Sequence, residues 1–275
     1  MLINDPIPSF KSPPLNEVVL NVQYDAIEKF NIATYGLLWE KFKTDFPNVE
    51  QQMPLEPQFE RIGGRHAPGD FLRFRIGQLV TPLPRAWFIS ENNQEIIQIQ
   101  PDRFIMNWRR MNGDAYPRYD EHMRDGFLRN LELLDNFYQE NGLGKIQPNQ
   151  CEISYINHID VSGTHENLSK IFTGWSNQYD LSDIADIEHI DLNINHIIKD
   201  NAGEFLGRLN IKIMPAFKET DDSPIFLMEL TVRGRPLGND LKGVINFMDL
   251  GREKIVRAFT KITSSEMHDI WERER

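Results

Sequence analysis

The sequence predicts an α+β fold in which two internally duplicated βαβββα units form one curved antiparallel sheet, with long helices packed mainly on one face. Three observations lead to this prediction. Apolar and polar residues alternate in most strand-like segments, which is typical of antiparallel sheets with one face on a core. Two long segments carry apolar residues at helical spacing. The order of the elements also repeats, so residues 1–145 and 146–275 are predicted to be two halves of one compact unit.

The first half, residues 1–145, contains a strand, a helix, a group of strands and a second helix in the predicted order. Alternating, β-branched segments predict its strands, and helical periodicity predicts its helices. A loop rich in proline and glycine follows the first helix. The predicted elements are a strand at 16–24, a helix at 26–46, strands at 71–79, 86–100 and 102–110, and a helix at 118–141. Segment 86–100 is predicted to be a hairpin that turns at Asn92 and Asn93.

The second half repeats the order, although the two halves share little sequence. Its predicted elements are a strand at 149–160, a short helix at 166–175, strands at 187–199, 207–214 and 225–233, and helices at 239–262 and 263–271. Thr263 and Glu266 have the spacing of a capping box, so Thr263 is predicted to start the last helix.

Composition describes an ordinary globular protein, with 40% hydrophobic and 26% charged residues. No apolar run approaches the roughly 20 residues of a membrane helix, and the first residues do not resemble a signal peptide. We therefore expect a cytoplasmic protein without membrane contact. A single cysteine excludes an intrachain disulfide framework and a cysteine-cluster metal site.

The charge of the chain argues against some classes of ligand and favours others. The net charge of −11 argues against nucleic acid, which binds to basic surfaces. Residues 61–118 nevertheless contain nine arginines, no lysine and only five acids. Because a guanidinium group makes forked hydrogen bonds, such a stretch suits carboxylate or phosphate recognition. The alternative is that these arginines pair with acids elsewhere in the chain.

Residues 149–160 place the only cysteine close to a serine and a histidine, which raises the question of a catalytic site. In a strand, Cys151 and His158 face opposite sides, and Ser154 and His158 are about 13 Å apart. Neither pair can form a nucleophile and its base within this strand. The chain also lacks the glycine-rich nucleotide motifs, the zinc-protease motif and the serine-hydrolase motif. We therefore predict no catalytic residue, no cofactor and no metal site.

Strand alternation defines a polar face of the sheet that is rich in arginine, asparagine and histidine. It is either an open solvated surface or a recognition surface. The residues predicted to bind a ligand or partner there are Arg73, Arg75, Arg103, Asn107, Arg109, His189, Asn193 and Arg208. Four of them (Arg73, Arg75, Arg103 and Arg109) belong to the first half and are expected to converge. Their charges then need neutralisation, either by acids such as Asp191 or Glu229 or by a ligand.

Six segments carry a resemblance to a known family. They are PPLNEVVLNVQ (13–23), LLWEKFKTDFPNVEQQ (37–52), QIQPDRFIMNWRR (98–110), YPRY (116–119), PNQCEISYINHI (148–159) and RAFTKITSSEMHDIW (257–271). With these segments the chain resembles a sporadically distributed family of uncharacterised prokaryotic proteins of similar length. The patchy distribution of that family is similar to that of toxin–antitoxin or antiphage-defence genes. The resemblance implies such a context and assigns no catalytic role.

Two function classes remain. The first is a non-enzymatic recognition protein that binds a protein partner or a small anionic ligand on the polar face, with a homodimer also open. The alternative is a helix-grip protein or enzyme, in which a long helix and a curved sheet enclose a small molecule. A nucleic-acid saddle is disfavoured by charge.

Overall fold

The computed structural model describes residues 5–60, 83–111, 113–160, 168–174, 184, 189–218 and 220–275. These residues form an α+β structure with one open antiparallel sheet of nine strands, which confirms the predicted class and strand direction. The strands are β1 (Leu15–Tyr24), β2 (Asn48–Gln52), β3 (Arg85–Ile89), β4 (Glu95–Gln100), β5 (Arg103–Arg109), β6 (Pro148–Asp160), β7 (Leu192–Lys199), β8 (Phe205–Phe217) and β9 (Pro224–Gly234). The predicted strand at 71–79 lies outside the described residues.

The helices of the described segments vary in length. They are α1 (Ile32–Phe42), α2 (Arg124–Glu140), α3 (Leu168–Ile171), α4 (Leu241–Ile262) and α5 (Ser265–Ile270). A π-helical turn, Tyr119–Met123, leads into α2. Within the described part of the chain, none of the helices has the length and apolar character needed to cross a membrane.

Strands β1 and β6 form the centre of the sheet. They pair antiparallel, with Val18 opposite Tyr155 and Asn21 opposite Glu152. Strands β5, β4, β3 and β2 continue from β1 in one direction, and β9, β8 and β7 continue from β6 in the other. The two central strands thus join residues from both halves of the chain.

One face of the sheet, here the core face, carries the apolar residues of the alternating pattern. On β1 these are Val18, Leu20 and Val22, which are fully buried. Helix α4 packs against β6 and β9 on this face, where Gly251 lies against Ile153 and Val232. A Cβ atom on Gly251 would be closer to the Ile153 side chain than van der Waals contact allows. The absence of a side chain at this position therefore lets α4 approach the sheet.

The opposite face, here the polar face, is partly covered and is not the open solvated surface that was one of its two alternatives. Nine of its polar side chains are at most 7% exposed: Asn21, Gln23, Gln98, Gln100, Arg103, Asn107, Gln150, Ser154 and Thr231. The main chain of residues 53–60 crosses this face and bonds to several of them. Alternation shows which residues share a face, but it does not show which distant segment covers that face.

Several element boundaries differ from the prediction for local reasons. Helix α1 begins at Ile32 and not at residue 26, because Asn31 caps it by accepting a hydrogen bond from the Ala33 amide at 3.0 Å. Strand β2 lies in a segment predicted to be a loop, since NVEQQ has one apolar residue and no alternation. The predicted hairpin is confirmed, and Asn93 adopts a positive φ of 59° in its turn.

The cap of the last helix is also one residue later than predicted. The Ser264 hydroxyl accepts from the Met267 amide at 3.2 Å, so Ser264 and not Thr263 starts α5. Thr263 instead donates from its hydroxyl to the Phe259 carbonyl at 2.7 Å, which closes the end of α4.

Candidate functional site

The candidate site lies on the polar face, where β4, β5, β1 and β6 run side by side. The strand register aligns polar residues of these strands in a row: Gln100, Arg103, Gln23 and Gln150. The adjacent row contains Gln98, Asn21, Glu152 and, from β9, Arg233. Because residues of one row stand beside each other, side chains from both halves of the chain meet here.

Residues 53–60, here the crossing segment, lie over the first row. The Gln100 amide group donates to the Leu55 carbonyl and accepts from the Leu55 amide, both at 3.0 Å. Gln23 makes the same pair of bonds with Gln58, at 2.5 and 2.8 Å. Arg103 donates to the Glu56 carbonyl at 2.9 Å. Over residues 55–58 the sheet therefore holds the crossing segment by its main chain.

An ion-pair network holds the end of the crossing segment. The Glu60 carboxylate accepts from Arg208 Nε at 2.8 Å and lies 3.6 Å from Arg233 Nη1. Arg233 also bonds to Glu152 on the neighbouring strand. Both arginines of this network are therefore matched with carboxylates.

Removing the two glutamine contacts is expected to loosen the crossing segment without unfolding the sheet. In the double variant Gln23→Leu/Gln100→Leu, the Leu55 and Gln58 main chains lose their bonded partners. Amide hydrogen exchange at Leu55 and Gln58 should accelerate about tenfold or more, since each lost bond contributes about 1 kcal/mol. Gln98→Leu is the matched control, because Gln98 bonds to Trp87 and Asn107 and not to the crossing segment. Unchanged exchange in the double variant would contradict this arrangement.

A cavity of about 220 Å³ lies between the crossing segment and the sheet. Four side chains that line it, Asn21, Arg85, Arg103 and Gln150, carry a buried polar atom without a hydrogen-bond partner among the described residues. The atoms are Asn21 Oδ1, Arg85 Nε, Arg103 Nε and Gln150 Nε2. Native proteins seldom leave buried polar atoms unpaired, so this concentration at one cavity indicates a binding site.

The electrostatics of the cavity favour an anion. Within the described part of the chain, neither Arg85 nor Arg103 has a carboxylate at ion-pair distance. Arg103 donates instead to two neutral groups, the side-chain carbonyl of Gln23 and the main-chain carbonyl of Glu56. Burial lowers the pKa of both arginines from the ordinary value. The neighbouring charges of Arg233 and Arg85 also lower the pKa of Arg103, while Asp102 and Glu152 raise it. An anion beside these two guanidinium groups would offset their desolvation.

Comparison with known proteins returns no assignment. The chain matches no protein-family model, and no curated protein matches its sequence. The geometry of the site therefore carries the functional argument.

The structure places only some of the predicted binding residues at this site. Arg103 lines the cavity, and Arg208 bonds to Glu60 beside it. Asn107 lies on the same face, but its amide group accepts from Gln98 at 2.7 Å and donates to Glu17 at 2.6 Å. Asn107 on β5 therefore connects β4 and β1 through hydrogen bonds to Gln98 and Glu17. Burial raises the pKa of Glu17, whereas its bond with Asn107 lowers it.

The other predicted residues do not join the cavity. Arg109 lies six positions from Arg103 on β5, about 20 Å away, and donates to the Asn93 carbonyl at 2.7 Å. Asn193 is exposed on β7, where its side chain accepts from Asn210 at 2.8 Å, and His189 is exposed before that strand. Arg73 and Arg75 lie outside the described residues. The expectation that Arg103 and Arg109 converge is therefore wrong, because the six-residue separation along one strand keeps their side chains too far apart to meet.

Sequence reasoning missed most of the side chains that line the cavity. Asn21, Gln23, Gln100 and Gln150 occupy polar-face positions of their strands, so strand parity could have identified them. Arg85 belongs to the arginine-rich stretch but directly precedes the predicted segment 86–100, so strand parity assigned it to neither face. No local signal marks Glu60 or Arg233 as partners, since their contact depends on the path of the crossing segment.

Cys151 and its neighbours keep the orientation that parity predicts. Cys151 is fully buried on the core-face side of β6, and burial raises its pKa above the ordinary thiol value. Ser154 bonds to Thr231 on β9 at 2.7 Å. Among the described residues, no group of three histidine, cysteine or acidic side chains is arranged to bind a metal ion.

Proposed function

We propose that the protein is a recognition protein that binds a small oxyanion in the cavity between the crossing segment and the sheet. The observation that carries this proposal is the set of four unpartnered polar atoms at one cavity, two of them on arginines without a carboxylate among the described residues. Arg103 is buried and Arg85 is half-buried with its Nε atom buried, and neither has a counter-charge among the described residues. Because desolvating such charges is costly, a site that binds an anion explains why the chain tolerates them.

The size and polarity of the cavity narrow the ligand class. At about 220 Å³ it is smaller than the roughly 300–1,000 Å³ of sites for drug-sized molecules, which favours a compact anion. The unpartnered atoms comprise three N–H donors and one oxygen acceptor. The N–H donors can bond to the oxygens of an oxyanion, and Asn21 Oδ1 can accept a hydrogen bond from a hydroxyl group of that ligand. A protonated phosphate group or a hydroxy acid has both features.

The test compares inorganic phosphate with sulfate by calorimetric titration near neutral pH. The two anions have similar shape, but only phosphate carries a proton that can be donated to Asn21. Phosphate is expected to bind saturably and at least about tenfold more tightly than sulfate, because an unpaired buried acceptor costs about 1–3 kcal/mol. Equal binding of the two anions, or no phosphate binding, would contradict the proposal. An Arg109→Met variant should bind phosphate as the wild type does.

Other features of the protein remain proposals that rest on sequence pattern. The mirrored strand order about β1 and β6 supports a duplication of residues 1–145 and 146–275. The packing of α4 on the core face supports a curved sheet with helices mainly on one face. A protein partner, a homodimer and a defence-associated context stay predictions. A neighbouring gene that recurs beside related genes would support the partner, and random neighbours would argue against it.

A further inference from the structure

A second cavity, of about 310 Å³, lies on the core face and is separate from the oxyanion site. Helix α4, the π-helical turn and residues 8–13 enclose it against β1, β6 and β9. Its wall combines aromatic hydroxyl groups, arginines and apolar side chains, among them Tyr116, Tyr155, Arg110, Arg252, Leu230 and Phe259. Its volume reaches the lower end of the range for sites that bind small organic molecules.

Arg110 supplies a positive charge at this cavity. It follows Arg109 directly, so strand alternation turns it towards the core face. Arg110 Nη2 donates to the Pro13 carbonyl at 3.1 Å, whereas Arg110 Nε is buried and has no hydrogen-bond partner in the segments that the structure describes. Within the described residues no carboxylate reaches ion-pair distance of Arg110, and Asp114 at the same cavity bonds to Gln94. Burial lowers the pKa of Arg110, as expected for a charge taken out of water.

Two tyrosines supply a hydrogen bond donor beside this charge. The hydroxyl groups of Tyr116 and Tyr155 lie 3.3 Å apart, and Arg252, which can only donate, also bonds to the Tyr155 hydroxyl. Burial raises the pKa of both, so both are protonated at neutral pH. One O–H group donates to the other oxygen, which leaves one proton for a further acceptor.

The backbone two residues after Tyr116 adopts a strained conformation in the wall of this cavity. Arg118 adopts φ 65° and ψ 146°, a conformation that residues other than glycine rarely adopt, and the π-helical turn follows it directly. Both features are frequent at functional sites. Tyr119 in that turn donates to Asp249 at 2.8 Å, and Arg252 bonds to Asp120 at 2.9 Å. The wall is thereby tied to α4.

We propose that this cavity binds a small organic anion, a carboxylate or a phosphate monoester, that carries an aromatic or aliphatic body. The anionic group would bond to Arg110 and to the tyrosine pair, and the body would lie against Leu230, Ile255 and Phe259. Because the cavity opens on the face opposite to the oxyanion site, this proposal stands or fails independently of the proposed function.

The test uses four probes that separate the charge from the body: phenylacetate, phenyl phosphate, acetate and 2-phenylethanol. Calorimetric titration should detect saturable binding of phenylacetate, phenyl phosphate or both, and the tighter of the two identifies the anionic group. Acetate and 2-phenylethanol should each bind at least about tenfold more weakly, since each lacks one half of the recognised chemistry. No binding of either aromatic anion up to about 10 mM, or binding of 2-phenylethanol at equal affinity, would overturn the proposal.

Two variants locate the binding. Arg110→Gln removes the charge and should weaken binding of the aromatic anion about tenfold or more, whereas Arg109→Gln removes its neighbour on the other face and should not. The double variant Tyr116→Phe/Tyr155→Phe keeps both rings and should weaken binding several-fold. If Arg110→Gln does not fold, the tyrosine variant decides alone. Undiminished binding in the tyrosine variant, or equal effects of Arg109→Gln and Arg110→Gln, would overturn the proposal.

Discussion

Replacing Arg103 with methionine is expected to reduce phosphate affinity at least about a hundredfold, while the free energy of unfolding changes by no more than about 1 kcal/mol. Arg103 is only 4% exposed, and methionine can fill a similar volume. The substitution removes the bonds of Arg103 to Gln23 and to the Glu56 carbonyl. It also removes the cost of desolvating a charge that has no carboxylate at ion-pair distance among the described residues. The structure therefore predicts that stability and binding separate at this residue.

Arg233→Met is the matched comparison, because Arg233 contacts two carboxylates, Glu152 and Glu60. Removing it leaves both acids without this partner, so we expect a loss of about 2 kcal/mol although Arg233 is more exposed than Arg103. Urea denaturation measures both variants, and calorimetry measures phosphate binding. If Arg103→Met proved the more destabilising of the two, Arg103 would be a structural residue held by an acid of this chain.

Gly251→Val is expected to lower the free energy of unfolding by about 3 kcal/mol. The added side chain would collide with Ile153 and press against Val232, so α4 could no longer lie as close to β6 and β9. Tight packing at this contact leaves little room for adjustment, since Ile153 and Val232 are fully buried.

Gly36→Val on α1 serves as the control for this substitution. Among the described residues, no atom lies within 4 Å of a Cβ placed at Gly36, so valine there should change stability by about 0.5 kcal/mol or less. Urea denaturation of both variants gives the comparison. Similar stabilities of the two variants would contradict the close approach of α4 to the sheet.

Strand alternation was sufficient to predict the class of fold and the face on which each strand residue lies. It placed Arg103, Asn107 and Arg208 on the polar face, because the two-residue period of a strand depends only on local geometry. The hairpin at Asn92 and Asn93 could also be predicted from local geometry, because asparagine tolerates the positive φ that the turn requires.

The proposed oxyanion site could not be predicted because it depends on the crossing segment. MPLEPQFE has no periodicity, and its bonds to Gln23, Gln100 and Arg103 join residues that are distant in sequence. These bonds use its main chain, which every residue type provides. Sequence alone therefore gave no sign that this segment covers the polar face or that a cavity remains beneath it.

A crystal structure of the protein grown with inorganic phosphate tests the central claim most directly. We expect a phosphate ion between the crossing segment and the sheet, bonded to the Arg103 guanidinium group, with Gln150 donating to it and Asn21 accepting from it. A carboxylate of this chain bound to Arg103, or a cavity that holds only water at saturating phosphate, would contradict the account.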